Sequence, residues 1–251
     1  MRPLHIYALD ISSSVSQYLA LLSRLRRTPG NIIFMFPVKQ ASRMLKEQVY
    51  QTLKHRIIFQ DMQPGTRLNE KTIMQEYAIG KTPLREVFLR LQRDGLIRRF
   101  PRSGTIVAPI DFKELRDAAE VRLTLEGLVG TLACRRATPA ILSRMQELIA
   151  VMEDRMKDGV SEEFIVAETS LHAMLYDMTD NDTLKAIVAG QHNLFTRLWF
   201  SAERTGLYLA GQVEDWQNLC DALAAHDESR ACETNRRHFH TSYNHLRAHF
   251  Y

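Results

Sequence analysis

A carboxylate and an imidazole four residues apart on a helix project from one face, and "EEFIVAETSLHAMLYDM" holds such a pair in Glu168 and His172. Ile165 and Leu175 share that face, so both polar groups are expected to point inward. On the last helical stretch His238 falls on the inward stripe with Ala231 and Ser242. Carboxylates and imidazoles gathered inside a helical bundle can hold a divalent metal such as zinc. The same pattern also suits core histidines satisfied by hydrogen bonds, with no metal. A second inward pair, Arg122 and Glu126, again lies four residues apart. A guanidinium there is expensive unless something anionic meets it, and Glu126 is the nearest acid. His192, His226, His240, His245 and His249 show no ligand spacing, and His55 needs no special role.

The elements that must carry these groups are helices. Residues 111–251 read as helical throughout, with breaks at Thr138-Pro139, Asp158-Gly159, Asp180-Asn181-Asp182, Gly206 and Gly211. The pattern predicts about six helices in a single antiparallel bundle. The chain is 45% apolar, enough for real cores, yet no stretch approaches the ~18 apolar residues of a membrane span. Cys134, Cys220 and Cys232 follow neither disulfide nor zinc spacing and read as buried reduced thiols. No HExxH motif, nucleophile elbow or phosphate loop accompanies the inward polar groups, so a metal-dependent enzyme is the weaker reading.

Charge divides the chain. Residues 41–110 hold thirteen Lys/Arg against six Asp/Glu, a net +7, and residues 111–251 hold fifteen against twenty-two, a net −7. A basic block joined to an acidic one suggests that the first meets a polyanion. Within the basic block, "KTPLREVFLRL" (81–91) places Thr82 as a helix cap and Pro83 at the first helical position, where its missing N–H is harmless. Leu84, Phe88 and Leu91 form the apolar face, and Lys81 and Arg85 leave positive charge at the helix start. That placement opposes the macrodipole unless the tip meets phosphate. The helix "EKTIMQEY", capped by Asn69, precedes it across the tight turn Ala78-Ile79-Gly80. Together they predict a helix-turn-helix whose second helix enters the major groove. "GLIRRF", the turn "PRSG" and "TIVAPI" predict a β-hairpin wing, with Arg98, Arg99 and Arg102 reaching flanking backbone or minor groove. Residues 1–42 differ from the rest and are expected to be a poorly ordered extension, with Met35 and Met44 as alternative starts.

Residues 45–108 resemble the DNA-binding domain of GntR-family bacterial transcription regulators in "PGTRLNEKTIMQEYAIGKTPLREVFLRLQRDGLI" and "RSGTIVA". The resemblance implies that Arg67 and Lys81 contact phosphate or base edges and that Thr82 and Arg85 lie at the recognition helix. It also implies that Gly104 lets the wing approach the minor groove. Where the family usually has a hydroxyl residue, this chain has Gly80. The order of "EVRLTLEGLVGTLACRRAT", "ETSLHAMLYDMTDND" and "DALAAHDESRACETNRRHF" is similar to the FadR subfamily's ligand-sensing domain, the FCD type. Many of its members hold a metal with one acidic residue and three histidines. Glu168, His172 and His238 match three of those positions, and Trp216 stands at the remaining one, where an indole cannot ligate. The subfamily's organic-acid effectors further imply that Arg122, with Arg197 in "NLFTRLWF" as a second cation, receives a ligand carboxylate.

These readings converge on a mainly α protein: an all-α bundle at 111–251 for effector binding and dimerisation, and a winged helix-turn-helix with a small β-hairpin at 43–109. The expected function is that of a cytoplasmic, ligand-responsive regulator, a repressor by resemblance. As a homodimer it would bind a near-palindromic double-stranded DNA operator and answer to a small carboxylic or sugar acid, with no membrane partner. An effector-independent DNA-binding and dimerisation protein is the alternative if Trp216 has closed the cavity.

Overall fold

Apolar residues every fourth position build the first helix, α1 (Val38–Ile58), whose Val49, Leu53 and Ile57 are fully buried. In the structure, a computed structural model, residues 38–101, 103–156, 161–203 and 211–250 are described. The expected extension falls almost wholly outside them, as do Arg102 and the breaks at Asp158-Gly159 and Gly206. Among the described residues there are nine helices and one three-stranded antiparallel sheet.

α1 ends before Gln60, which takes a left-handed φ of 59°. Asn69 caps α2 (Glu70–Glu76), its side chain accepting from the Thr72 N–H at 3.1 Å. α3 (Lys81–Arg93) starts two residues earlier than the sequence suggested. Gly80 is the cap residue, its carbonyl accepting from the Leu84 N–H at 3.1 Å, and Thr82 and Pro83 both lie in the first turn. First-turn amides have no acceptor within the helix, so a proline is harmless there. β2 (Ile97–Phe100) and β3 (Gly104–Val107) form the expected hairpin, with Ile97 opposite Val107 and Phe100 opposite Gly104. The unexpected strand is β1 (Arg67–Leu68), which pairs with β3 to give the order β1-β3-β2. Two residues carry no alternation by which a sequence could mark a strand.

Six helices follow, the number expected: α4 (Phe112–Cys134), α5 (Pro139–Met156), α6 (Glu162–Met178), α7 (Asp182–Glu203), α8 (Gln212–Ala224) and α9 (Glu228–Phe250), although the break between α8 and α9 is not one the sequence marked. α4 packs most extensively on α9. A Cβ at Gly130 would lie 2.4 Å from the Ala231 carbonyl oxygen, so only glycine permits this crossing. Leu115, Ala119, Phe195, Leu198, Phe239 and Leu246 form a core where α4, α7 and α9 meet. Cys134 and Cys220 are buried and Cys232 half-buried, all as free thiols.

The winged part and the bundle belong to one compact unit. His55 on α1 meets Glu162 on α6 at 2.8 Å, and Phe59 meets the Phe200 ring edge-on at 5.1 Å between centroids. Arg197 donates to the Ala108 carbonyl just after β3 at 2.5 Å, while Gln60 donates to the Arg197 carbonyl at 3.4 Å.

Candidate functional site

The short turn from α2 to α3 sets the direction of α3. Ala78 holds a left-handed φ of 49°, and the Ile79 N–H closes onto the Met74 carbonyl at 3.1 Å. Leu84, Val87, Phe88 and Leu91 then fix α3 by its buried face, which leaves Lys81, Thr82 and Arg85 exposed together at the N-terminal tip. Among the described residues neither Lys81 nor Arg85 has an acidic partner, whereas Arg90 is tied to Glu47 at 2.6 Å and lies over the Tyr50 ring. Free amides and unpaired cations at one helix end form an anion-binding surface.

Arg67 extends that surface to the wing. Its guanidinium donates to the Ser103 carbonyl and lies over Gly104, whose φ of 96° and lack of a Cβ accommodate it. Arg98 is bonded to Glu114 at 2.6 Å, and Arg99 lies 3.9 Å from Glu70. The structure therefore ties two cations expected to reach DNA to acids of the protein itself.

Inside the bundle, α6 presents Glu168 and His172 on one face, with the His172 Nε2 atom 2.8 Å from Glu168 Oε1. α9 brings His238, and donor atoms of Glu168, His172 and His238 all lie within 4.8 Å of one another. Trp216 from α8 packs against both histidines, with ring centroids 4.8 Å from His172 and 5.0 Å from His238. The sequence passed over His192. It comes from α7, its ring centroid is 4.4 Å from that of His172, and its Nε2 is 3.8 Å from Glu168 Oε2. Spacing within one helix revealed the Glu168–His172 pair, but nothing in the spacing marks a histidine that arrives alone on a neighbouring helix. The closest carboxylate oxygen of Asp215 lies 3.8 Å from His238 Nδ1, too far for a hydrogen bond. His172 Nδ1, His238 Nδ1 and Trp216 Nε1 are buried without partners.

Burial by itself would raise the Glu168 carboxyl, but His172, His238 and Arg122 hold it below its ordinary value. Burial, together with the neighbouring His172 and Arg122, pushes His192 well below the usual histidine range. The cluster is thus an ionised carboxylate among imidazoles with free nitrogen atoms.

Arg122 and Glu126 sit beside this cluster, 1% and 0% exposed. Arg122 Nε donates to Glu126 at 2.9 Å and NH2 donates to the Tyr176 hydroxyl at 2.8 Å. Asn235 donates to the second Glu126 oxygen at 2.8 Å, and the guanidinium lies 4.1 Å from the Phe239 ring centroid. The anion that meets Arg122 in this fold is Glu126. Arg197 faces the junction with the wing and not this network; its Nε and NH1 are buried without partners, and burial lowers its pKa to about 10. A cavity of about 10 Å³ adjoins Glu168, Thr196 and Gln212, room for about one water. A separate hollow of about 770 Å³ between α8 and α9 is an open polar groove that includes Asp215, Arg230 and Arg237 but no donor of the cluster.

Residues 45–107 match the family model described as bacterial regulatory proteins, gntR family, and residues 117–241 match that of the FCD domain. The chain belongs to the GntR family and carries an FCD domain. It is similar to the uncharacterized HTH-type transcriptional regulator YdhC of Bacillus subtilis (strain 168), with 26% identity over 59% of this chain and 66% of that protein. It is also similar to the HTH-type transcriptional repressor RspR of Escherichia coli (strain K12), with 24% identity over 54% and 60%. The chain thus spans under two thirds of the length of these curated relatives. Among solved structures, E. coli McbR/YncC superposes with a TM-score of 0.71 at 21% identity, covering 82% of this chain and 99% of that one, a likeness of fold. This is a family of transcription regulators, not of enzymes.

The FCD residues present fit a divalent cation. Two imidazoles and a carboxylate within reach of one another are a familiar donor set, with further places open to water or ligand. The partnerless His172 and His238 nitrogens are the kind of buried polar atoms that a bound group would satisfy. No helix among the described residues is long and apolar enough to cross a membrane.

Proposed function

We propose that this GntR-family protein is a ligand-responsive repressor that binds a near-palindromic operator as a homodimer. The observation that carries the reading is the exposed, unpaired cationic tip of α3, where Lys81, Thr82 and Arg85 stand together. Arg67 beside Gly104 adds a second anchor on the wing. Arg102 belongs to the same turn by sequence and is assigned to the DNA surface on that basis. Backbone contacts from these cations supply affinity and register, and Arg85 is placed to read a base edge. A DNA target implies a cytoplasmic location.

The bundle is assigned to sensing. Glu168, His172 and His238 would hold a divalent metal such as zinc, which supplies a Lewis-acidic centre that favours an anionic ligand. The effector class that suits this centre is a small carboxylic or sugar acid. Arg122, already paired with Glu126 and Tyr176, braces the wall of the site and adds positive potential. The single-water cavity means that an organic acid must move side chains to enter, and such a demand couples binding to shape. α6, which carries Glu168 and His172, touches α1 through Glu162, and α7, packed against α6, touches the end of α1 through Phe200 and the end of β3 through Arg197. An acid that binds one arrangement of these helices better than another shifts the orientation of the DNA-reading tips.

Selection of bound fragments from sheared bacterial DNA tests the reading. The expected product is an inverted repeat with half-sites about one helical turn apart, ~34–36 Å. Fragments with no shared sequence would contradict it. A thermal-shift series with carboxylic and sugar acids tests the sensing half, since a ligand at 100 times its Kd adds about 2.7 kcal/mol.

A further inference from the structure

Glu168 lies between two histidines, and the metal set described above uses only one side of it. Its Oε1 faces His172 at 2.8 Å, while its Oε2 faces His192 Nε2 at 3.8 Å. The His172 and His192 rings are closer to each other, at 4.4 Å between centroids, than His172 is to Trp216 or to His238. His192 is nine-tenths buried, and its one recorded side-chain hydrogen-bond partner is the Thr196 hydroxyl at 3.2 Å. On the other flank Trp216 offers a ring N–H and no lone pair, so that side contributes no ligand.

His192 lies outside the group of donor atoms within 4.8 Å of one another, but its Nε2 is 3.8 Å from Glu168 Oε2. The geometry points to His192 as a metal ligand that closes on the cation by a side-chain rotation, completing a centre of Glu168, His172, His192 and His238 drawn from α6, α7 and α9. The carboxylate and three imidazoles make four donors, the number at which divalent zinc is commonly saturated by protein. Binding exchanges the His192–Thr196 hydrogen bond for a ligand bond. Thr196 in turn precedes Arg197, whose guanidinium holds the Ala108 carbonyl. The centre is therefore anchored on the same helix that touches the end of the wing.

This inference rests on the reading that the Glu168 cluster holds a divalent cation, and the two can fail separately. The metal-free full-length protein is titrated with Zn(II) and with Co(II) against a chromophoric chelator, together with His192→Gln, His238→Gln and the double variant His192→Gln/Trp216→His. Both single variants are expected to weaken binding at least about tenfold. The double variant is expected to recover affinity, because it supplies an imidazole on the other flank. The Co(II) protein should show three paramagnetically shifted imidazole N–H signals, a count that needs no variant and survives any that fail to fold. Loss of affinity in His238→Gln but not in His192→Gln, or only two shifted signals, overturns the role of His192 and leaves the smaller centre standing. No uptake of either metal by the parent protein overturns both.

Discussion

Removing the Arg122 guanidinium would leave the Glu126 carboxylate in the core without its salt-bridge partner, where solvent does not reach it. Arg122→Met is therefore expected to lower the unfolding free energy by about 3–5 kcal/mol, while the double change Arg122→Met/Glu126→Leu recovers most of it. Denaturant titration of the three proteins checks this. The pair also sets an acid response. Burial raises the Glu126 carboxyl, but Arg122, His172 and Asn235 outweigh that and hold it below its ordinary value. The unfolded chain thus takes up this proton first as pH falls. The pair's contribution is complete above the unfolded value near ~4.3 and is lost as pH drops through the lower folded value. Glu126→Gln should accordingly show a shallower fall in stability below about pH 4 than the parent. At the turn before α3, Ala78 holds a left-handed φ that glycine adopts freely. Ala78→Gly should raise stability by about 1 kcal/mol, read as an increased midpoint in urea.

Among the elements, α4 and α9 approach closely because Gly130 has no side chain. A methyl group there meets backbone and not a movable side chain, so Gly130→Ala should cost about 1–3 kcal/mol through forced separation of the helices, measured by thermal unfolding. The sequence made this architecture legible where periodicity ran long. The helical bundle and its number of helices, the buried face of α3 and the Asn69 cap follow from spacing and turn residues, whereas the break between α8 and α9 went unmarked. It misled where information was local to two or three residues. The cap of α3 moved from Thr82 to Gly80 because any first-turn position tolerates proline, and β1 was too short to show a pattern. The buried site divides the same way. Glu168 and His172 were visible because one helix face displays both, and His238 because its stripe was apolar. His192 was not visible, since only the packing of α7 against α6 brings it to Glu168. Arg197 likewise read as a cation for the interior until the fold turned it toward Ala108.

At the scale of the whole molecule, the acidic bundle and the basic winged part meet through few polar links. Arg197 is notable among them because its charge is buried with a carbonyl and no carboxylate as recorded partner. Arg197→Met removes that link and also an expensive burial, so stability should change little. DNA affinity should then cease to depend on metal or acid, while each ligand still binds; unchanged dependence would remove Arg197 from the coupling route. The central claim is that the α3 tip is the surface that reads DNA. It is tested most directly by titrating the selected inverted-repeat duplex with the parent protein and with Arg85→Ala at several salt concentrations. Arg85 is exposed and unpaired, so the variant should keep the parent's melting temperature. Its operator affinity should fall by about 1–3 kcal/mol, with relaxed preference at one base pair in each half-site. Equal affinity and equal preference for the two proteins would contradict the account.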